Sequence, residues 1–105
     1  MRILLVVLAA LTLASCKATL EDCDKGCRNY YKLHYWETAE QEMAKLPESE
    51  RAAFRAKKES ELEPRMMKEL DLCVNKCRSG ADKHRVKCWI DAKTSAAARK
   101  CQNDD

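Results

Sequence analysis

Two short stretches of the chain, CDKGC at residues 23–27 and CVNKC at residues 73–77, carry four of its seven cysteines in the same C-x3-C spacing. The two stretches lie symmetrically about residue 50, so each cysteine has a mirror partner. Thiols four residues apart lie on one face of a helix. Two such helices that run antiparallel can bring mirrored thiols within disulfide distance. The spacing therefore predicts an all-α fold, a long antiparallel helical hairpin with two disulfide rungs, Cys23–Cys77 and Cys27–Cys73.

The residues around the first cysteine pair predict where the first arm begins and ends. Thr19 precedes acidic residues, a pattern typical of a helix N-cap with negative charge at the positive end of the helix. One face then recurs at steps of three and four residues: Leu20, Cys23, Cys27, Tyr30 and His34. Pro47 suits the first turn of a following helix and not the interior of this one. The turn is therefore expected at residues 46–50, at the centre of the cysteine symmetry.

The return arm is expected to run from Ser49 to Arg78 and to stop near Gly80. Pro64 lies inside this arm and is expected to kink or split it. The mirror symmetry also pairs apolar partners across the arms: Tyr30 with Leu70, Leu33 with Met67, and Leu46 with Phe54.

The last two cysteines predict a small C-terminal helical pair. A straight helix from Cys88 to Cys101 would hold them ~20 Å apart, whereas a disulfide requires Cα atoms within about 7 Å. Thr94 offers an N-cap for a second helix between them. We therefore expect helices at residues 82–92 and 95–102, joined by a Cys88–Cys101 disulfide. Three residues of the first helix should dock on the cysteine end of the hairpin: Val86, Trp89 and Ile90.

The N-terminus has the features of an export signal. Met1-Arg2 is a short positive region, and residues 3–13 are apolar except for Thr12. This run is too short to cross a hydrocarbon layer of ~30 Å, so a signal peptide at residues 1–15 is predicted. Export favours an oxidising compartment and hence disulfide formation.

The junction Leu13-Ala14-Ser15-Cys16 resembles the lipobox of bacterial lipoproteins. This resemblance implies cleavage before Cys16 and attachment of acyl chains, such as palmitate, to its thiol and amino group. Two or more chains hold a protein stably to a membrane. Lys17 in place of Asp implies an outer-membrane destination. Residues 16–22 would then form a lipid-anchor linker, and residues 23–105 the disulfide-stapled helical domain. The alternative is an ordinary signal peptide cut near Ala18.

Composition agrees with one small helical domain. The exported part has about 90 residues, enough for a single domain with a thin core. The chain contains only two glycines and two prolines, and 35% of its residues are charged. Without Arg2, the 20 basic side chains fall to 19 against 17 acidic ones, so no nucleic-acid partner is expected.

The twin C-x3-C spacing is similar to that of the small Tim chaperones of mitochondria and of cystine-stabilised helical-hairpin peptides. This resemblance implies the hairpin geometry alone. Residues 28–72 separate the two cysteine pairs here, a far longer insert than those families have, and the leader is typical of export and not of mitochondrial import.

No pattern in the chain indicates catalysis or a cofactor. Four thiols could bind one Zn²⁺, but an oxidising compartment favours disulfides, so we expect no metal. A thioredoxin-like role would need a C-x-x-C motif in a βαβ unit, and the sequence shows neither feature. His34 and His84 are expected to serve packing or solvation, so the chain is not expected to be an enzyme.

The aromatic residues of the first arm include the best candidates for a functional surface. Tyr30 is expected to face the hairpin seam, whereas Tyr31, Tyr35 and Trp36 could bind a protein partner, because Tyr and Trp make strong anchors. The favoured interpretation is that Tyr31 and Tyr35 receive the C-terminal helix through Trp89, and the protein-binding surface is the functional alternative to it.

Two functions follow from these features. The favoured one is a small lipoprotein of the cell envelope, bound to the membrane through lipid on Cys16, that acts as an interaction or scaffold module for an unidentified protein partner. The alternative is a freely secreted, disulfide-rich helical peptide, toxin-like or an inhibitor, cleaved near Ala18.

Overall fold

The structure is a computed structural model that describes residues 17–101. It contains four helices in this range: α1 at Leu20–Ala44, α2 at Glu48–Gly80, α3 at Lys83–Asp91 and α4 at Ser95–Lys100. These residues form no strand, only an isolated β-bridge between Lys17 and Asp82. The predicted all-α fold, with a long hairpin and a small C-terminal pair, is confirmed. The signal peptide, Cys16 and the last residue of the predicted 95–102 helix lie outside the described range, and α4 ends at Lys100, before Cys101.

The helix boundaries follow the local sequence signals. The Thr19 hydroxyl accepts a hydrogen bond of 3.1 Å from the backbone N–H of Asp22 and so caps α1. Pro47 precedes the first residue of α2, and residues 45–47 form the turn. Asp82 and Thr94 cap α3 and α4 by the same kind of bond, to Arg85 and Ala97. Gly80 ends α2 as expected, although without the left-handed conformation of a glycine cap.

Pro64 does not split the return arm. Helix α2 runs for 33 residues with Pro64 inside it. An internal proline costs a helix ~3 kcal/mol, but Met66 and Leu70 in the turns that follow are buried. Burial of each such side chain contributes ~1.5–3 kcal/mol, which is enough to keep the helix continuous.

The two predicted rungs join α1 to α2 at the end of the hairpin where the chain enters and leaves. The Cα atoms are 5.8 Å apart in Cys23–Cys77 and 6.0 Å apart in Cys27–Cys73. The main core cluster surrounds these disulfides and adds Leu70, Val74 and Val86. The core is therefore centred on the cystines, at one end of an elongated molecule.

The mirror rule misplaced one apolar residue of the seam. It assigned Met67 to the interface between the arms, but Met67 is 49% exposed and its neighbour Met66 is fully buried. Met66 lies four residues before Leu70 and shares its helix face, whereas Met67 is turned by about 100° from Met66. A numerical symmetry locates the partner turn but does not fix which residue of that turn faces inward.

Helices α3 and α4 form the predicted C-terminal pair, joined by Cys88–Cys101, and pack mainly on α1. Gly26, which lies between the two rung cysteines of α1, permits the close approach of α3. A Cβ added at Gly26 would lie 3.4 Å from both Trp89 Cβ and Val86 Cγ1.

Asn29 fixes the end of α3 against α1. Its side-chain amide nitrogen donates to the backbone carbonyls of Trp89, Ile90 and Ala92, at 2.6, 3.3 and 3.0 Å. The last carbonyls of a helix have no partner within it. Asn29 therefore supplies the C-terminal cap of α3 from a different helix.

Candidate functional site

An open groove of about 720 Å³ lies between α2 and α3 and has α1 as its floor; we call it the rung groove. On α2, the groove-lining residues recur at steps of three and four and so share one face: Glu69, Leu72, Lys76 and Gly80. The opposite wall carries Arg85 and Trp89 of α3. The floor is formed by α1 residues and by cysteines of both rungs: Cys27, Tyr30, Tyr31, His34, Cys73 and Cys77.

The lining of the rung groove is mainly apolar. Met66 and Leu70 close its inner side and are buried, whereas Leu72 on its rim is 63% exposed. Trp89 adds an indole surface that packs edge-on against Tyr30, with ring centroids 6.1 Å apart. The indole N–H of Trp89 is buried and has no hydrogen-bond acceptor among residues 17–101. A concave, mostly apolar surface with a few charged groups is the usual form of a small-molecule site.

The charges of the rung groove are arranged unequally along its length. Lys76 and Arg85 lie towards Gly80 and Ala81, at the rung end of the hairpin, whereas Glu69 lies towards the middle. Burial raises the pKa of the Tyr31 hydroxyl, and the nearby Glu69 and Tyr35 add to this shift. Tyr31 therefore remains a neutral phenol where it lines the groove.

The three aromatic residues proposed as a protein-binding surface are used differently from one another. Tyr31 and Tyr35 are stacked at 6.1 Å, and Trp36 meets Tyr35 edge-on at 5.6 Å. Only Tyr31 lines the rung groove; Tyr35 donates a hydrogen bond of 2.8 Å to the carbonyl of Lys58 on α2, and Trp36 lies beneath the Arg55 guanidinium. Tyr35 thus joins the two arms and offers less surface to a partner.

Trp89 docks on the hairpin as expected, but not on the Tyr31 and Tyr35 stripe. It contacts Tyr30, which had been assigned to the seam between the arms. Asn29 and Gly26 precede Tyr30 on α1, and they position α3 on this side of the helix.

A second cleft beside the stripe holds a partly buried lysine. The Lys58 side chain is 17% exposed, and its Nζ lies 5.8 Å from the Tyr35 ring, 5.3 Å from the Phe54 ring and 3.6 Å from Glu42 Oε2. The ammonium group is thus held by two aromatic faces and one carboxylate. This lysine clasp joins the arms where the apolar core is thin.

Helix α4 is held on α1 by polar contacts that involve its first residue, Ser95, and Arg99 in its last turn. Arg99 Nη1 lies 3.3 Å from Glu37 Oε1 on α1 and 2.9 Å from the Ser95 hydroxyl. Hydrogen bonds from Ser95 and Arg99 lower the pKa of Glu37. Because its pKa is lowered, Glu37 keeps its negative charge, and with it the ion pair to Arg99, to a lower pH than an ordinary glutamate would.

The six cysteines of residues 17–101 are all joined in disulfides, and a sulfur in a disulfide is not available as a thiolate nucleophile or metal ligand. Within the described range, no three His, Cys, Asp or Glu side chains are grouped so that they could bind a metal ion. Both histidines are exposed: His34 on α1 lines the rung groove, and His84 lies on α3. The groove offers apolar surface and charge, which suit binding.

Three important positions were not identified from the sequence. Asn29 and Gly26 would have required knowledge of the α1–α3 interface, which no periodicity displays. Lys76 lies within the CVNKC stretch, but only the cysteines of that stretch were interpreted. A signal was present for Lys76, since Glu69, Leu72 and Lys76 share a helix face beside the rung.

The residues before α1 are part of the fold. Lys17 forms the antiparallel bridge with Asp82, and Ala18 packs against the core cluster around the rungs. None of the described helices is both long and apolar enough to cross a membrane. Comparison of the chain with protein-family models, with curated proteins and with solved structures found no match.

Proposed function

We propose that the chain is a small exported lipoprotein, anchored to the outer membrane through acyl chains on Cys16, that acts as a helical interaction or scaffold module of the cell envelope. The leader at residues 1–15 and the lipobox-like junction support export and acylation. Three disulfides favour an oxidising compartment. No catalytic role is proposed.

The packing of Lys17 and Ala18 is the observation that carries this proposal. Cleavage before Cys16 keeps the Lys17–Asp82 bridge and the contact of Ala18 with the core. Cleavage after Ala18 would remove both and place a positive amino group on Thr19, the N-cap of α1. A positive charge at a helix N-terminus opposes the helix dipole. The fold therefore favours the lipoprotein over the secreted peptide cleaved near Ala18.

The anchor position sets which parts of the domain meet the membrane and which project from it. Lys17 lies at the rung end of the hairpin, so a lipid on the preceding residue would hold that end at the bilayer. Helix α2 has 33 residues and therefore extends for ~50 Å. We expect the turn at residues 45–47 to project away from the membrane, with Tyr31, Tyr35 and Trp36 between the two ends.

The decisive test combines intact mass with membrane fractionation. A mature protein that begins with acylated Cys16 supports the proposal, whereas one that begins with unmodified Thr19 supports the secreted alternative. Cys16→Ser should release a folded protein from the membrane. Replacing Cys88 and Cys101 together by serine is the matched control, because it also exchanges cysteine for serine but should leave the anchor intact. Retention of the Cys16→Ser protein in the membrane would refute the lipid anchor.

The protein partner can be sought with a photo-crosslinking residue at Tyr31 or Trp36. The exposed Lys68 on α2 is the control position. Crosslinks to one envelope protein from Tyr31 or Trp36, but not from Lys68, would support the aromatic surface as the interaction site. Equal crosslinking from both surfaces would contradict it.

A further inference from the structure

The rung groove has the dimensions of a site for one extended apolar chain. Its α2 wall runs from Glu69 to Gly80, which corresponds to ~16 Å of helix. The volume of about 720 Å³ lies within the range of about 300–1,000 Å³ that is typical of ligand sites. The groove is open along one side, so a linear molecule can enter without any change of the fold.

The lining of the groove is apolar where a chain would lie. Met66 and Leu70 face it from the inner side, Leu72 from the rim and Trp89 from the opposite wall. Leu72 is 63% exposed in the free protein, among the most exposed of the large apolar side chains of residues 17–101. A chain in the groove would remove this side chain from water, which is favourable in proportion to the apolar area covered.

The charges of the groove give such a chain a direction. Lys76 is exposed and makes the end near Gly80 and Ala81 positive. Glu69 makes the opposite end negative. An anionic head group is therefore attracted to Lys76 and repelled from Glu69, so that the apolar chain would extend from Lys76 along Leu72 towards Tyr31.

We infer that the rung groove binds a free fatty acid with a chain about as long as that of laurate, with its carboxylate at Lys76 and its acyl chain against Leu72, Leu70 and Trp89. The inference rests on the groove and its charges and does not depend on acylation of Cys16. A peptide helix is a poorer occupant, because a helix ~10–12 Å in diameter and as long as the ~16 Å wall would fill roughly twice the volume of the groove.

The groove contains its own reporter, because Trp89 lines it and Trp36 does not. The assay uses the exported Cys16→Ser protein in a Trp36→Phe background, so that fluorescence comes from Trp89 alone. Brominated laurate, added below its aggregation concentration, should quench this fluorescence with saturation. Affinity should rise about tenfold for each two methylenes from octanoate to laurate, as expected for an apolar chain that is buried as it lengthens. Absence of saturable quenching would overturn the inference.

Two exposed residues on α2 provide a matched pair of variants. Leu72→Glu places a carboxylate on the groove rim and should weaken laurate binding by about tenfold or more. Met67→Glu makes the same change at a position that is also exposed but lies outside the groove lining, and should leave binding unchanged. Equal effects of the two variants would overturn the proposed site.

The role of Lys76 is separated from that of the apolar lining by the choice of ligand. Lys76→Ala should weaken binding of laurate by about two- to fivefold and leave binding of lauryl alcohol unchanged. An equal loss for both ligands would overturn the assigned orientation. Binding of lysophospholipid without binding of laurate would overturn the choice of a fatty acid. Because every protein in this assay lacks Cys16, none of these results depends on whether the native protein is a lipoprotein.

Discussion

Asn29 is the position at which one atom exchange should have the largest effect on the C-terminal helices. Asn29→Asp keeps the size of the side chain but replaces the amide donor, which serves three backbone carbonyls at the end of α3, with a carboxylate oxygen. The two N–H donors of the amide that are lost contribute ~1 kcal/mol each to the stability of the folded protein. The new negative charge also faces the negative end of a helix, which costs a further ~0.3–1 kcal/mol. The backbone carbonyls at the end of α3 that lose their donor add a further cost of ~1 kcal/mol or more to the loss of stability.

We therefore expect Asn29→Asp to reduce the free energy of unfolding by about 3–4 kcal/mol at neutral pH. Asn29→Ala leaves the same carbonyls without a donor but adds no charge, so its loss should be smaller by ~0.3–1 kcal/mol. The assay is urea denaturation with the disulfides intact, followed by Trp89 fluorescence in the Trp36→Phe background. Hydrogen exchange should locate the loss in α3. Asn75→Asp is the matched control, because Asn75 is exposed on α2, and it should change stability by less than about 0.5 kcal/mol.

The pH dependence separates the charge effect from simple loss of the amide. Backbone carbonyls around the introduced carboxyl should raise its pKa in the folded state, because they disfavour the charged form. The destabilisation is then fully present above the raised pKa and declines as the pH falls through it, since the protonated carboxyl donates again. A stability loss that is the same at acidic and neutral pH, or an Asn29→Ala loss as large as that of Asn29→Asp, would refute this reasoning.

The remaining predictions concern the rungs, the lysine clasp and the close approach of α3. Replacing Cys27 and Cys73 together by alanine should cost roughly 2–3 kcal/mol, because Cys23–Cys77 still closes nearly the same loop, and removing both rungs should cost roughly 6 kcal/mol. Guanidinium denaturation of these two variants and of one that lacks only Cys23–Cys77 measures the losses; if the two single losses added up to the loss for both rungs, the shared loop would be contradicted. Lys58→Met should destabilise the arms by about 1 kcal/mol and increase hydrogen exchange near the turn, whereas Lys57→Met at the exposed neighbouring position should not; equal exchange in the two variants would exclude the clasp. Gly26→Ala should be neutral or stabilising by up to ~1 kcal/mol, since its Cβ would be at van der Waals contact and alanine favours helix, but Gly26→Leu should displace α3 and increase Trp89 exposure to acrylamide; unchanged quenching in Gly26→Leu would argue against the close contact.

The hairpin could be predicted because its determinants are periodic and lie along the chain. The C-x3-C spacing, the Thr19 and Thr94 caps and the position of Pro47 are local signals, and each corresponds to a feature of the structure. The continuity of α2 through Pro64 was not predictable in this way. It depends on the burial of Met66 and Leu70, which is a property of the assembled hairpin.

The candidate site was predicted only in part, because its walls come from distant parts of the sequence. Tyr31 was identified as a surface residue and does line the rung groove. The docking of Trp89 was expected, but its partner Tyr30 depends on the side of α1 that receives α3. That choice is made by Gly26 and Asn29, whose roles appear only when α3 is in place.

All three disulfides lie away from the turn, and between residues 44 and 65 of the described chain no side chain is buried. A protease should therefore cut this stretch before any other part of the two arms. The cut would yield a nicked, two-chain protein whose halves stay covalently joined by Cys23–Cys77 and Cys27–Cys73. Such a product would migrate as one species in a gel without reductant and as two species with it. Cleavage near the turn would therefore change that end of the hairpin while both halves remain linked to the disulfide end.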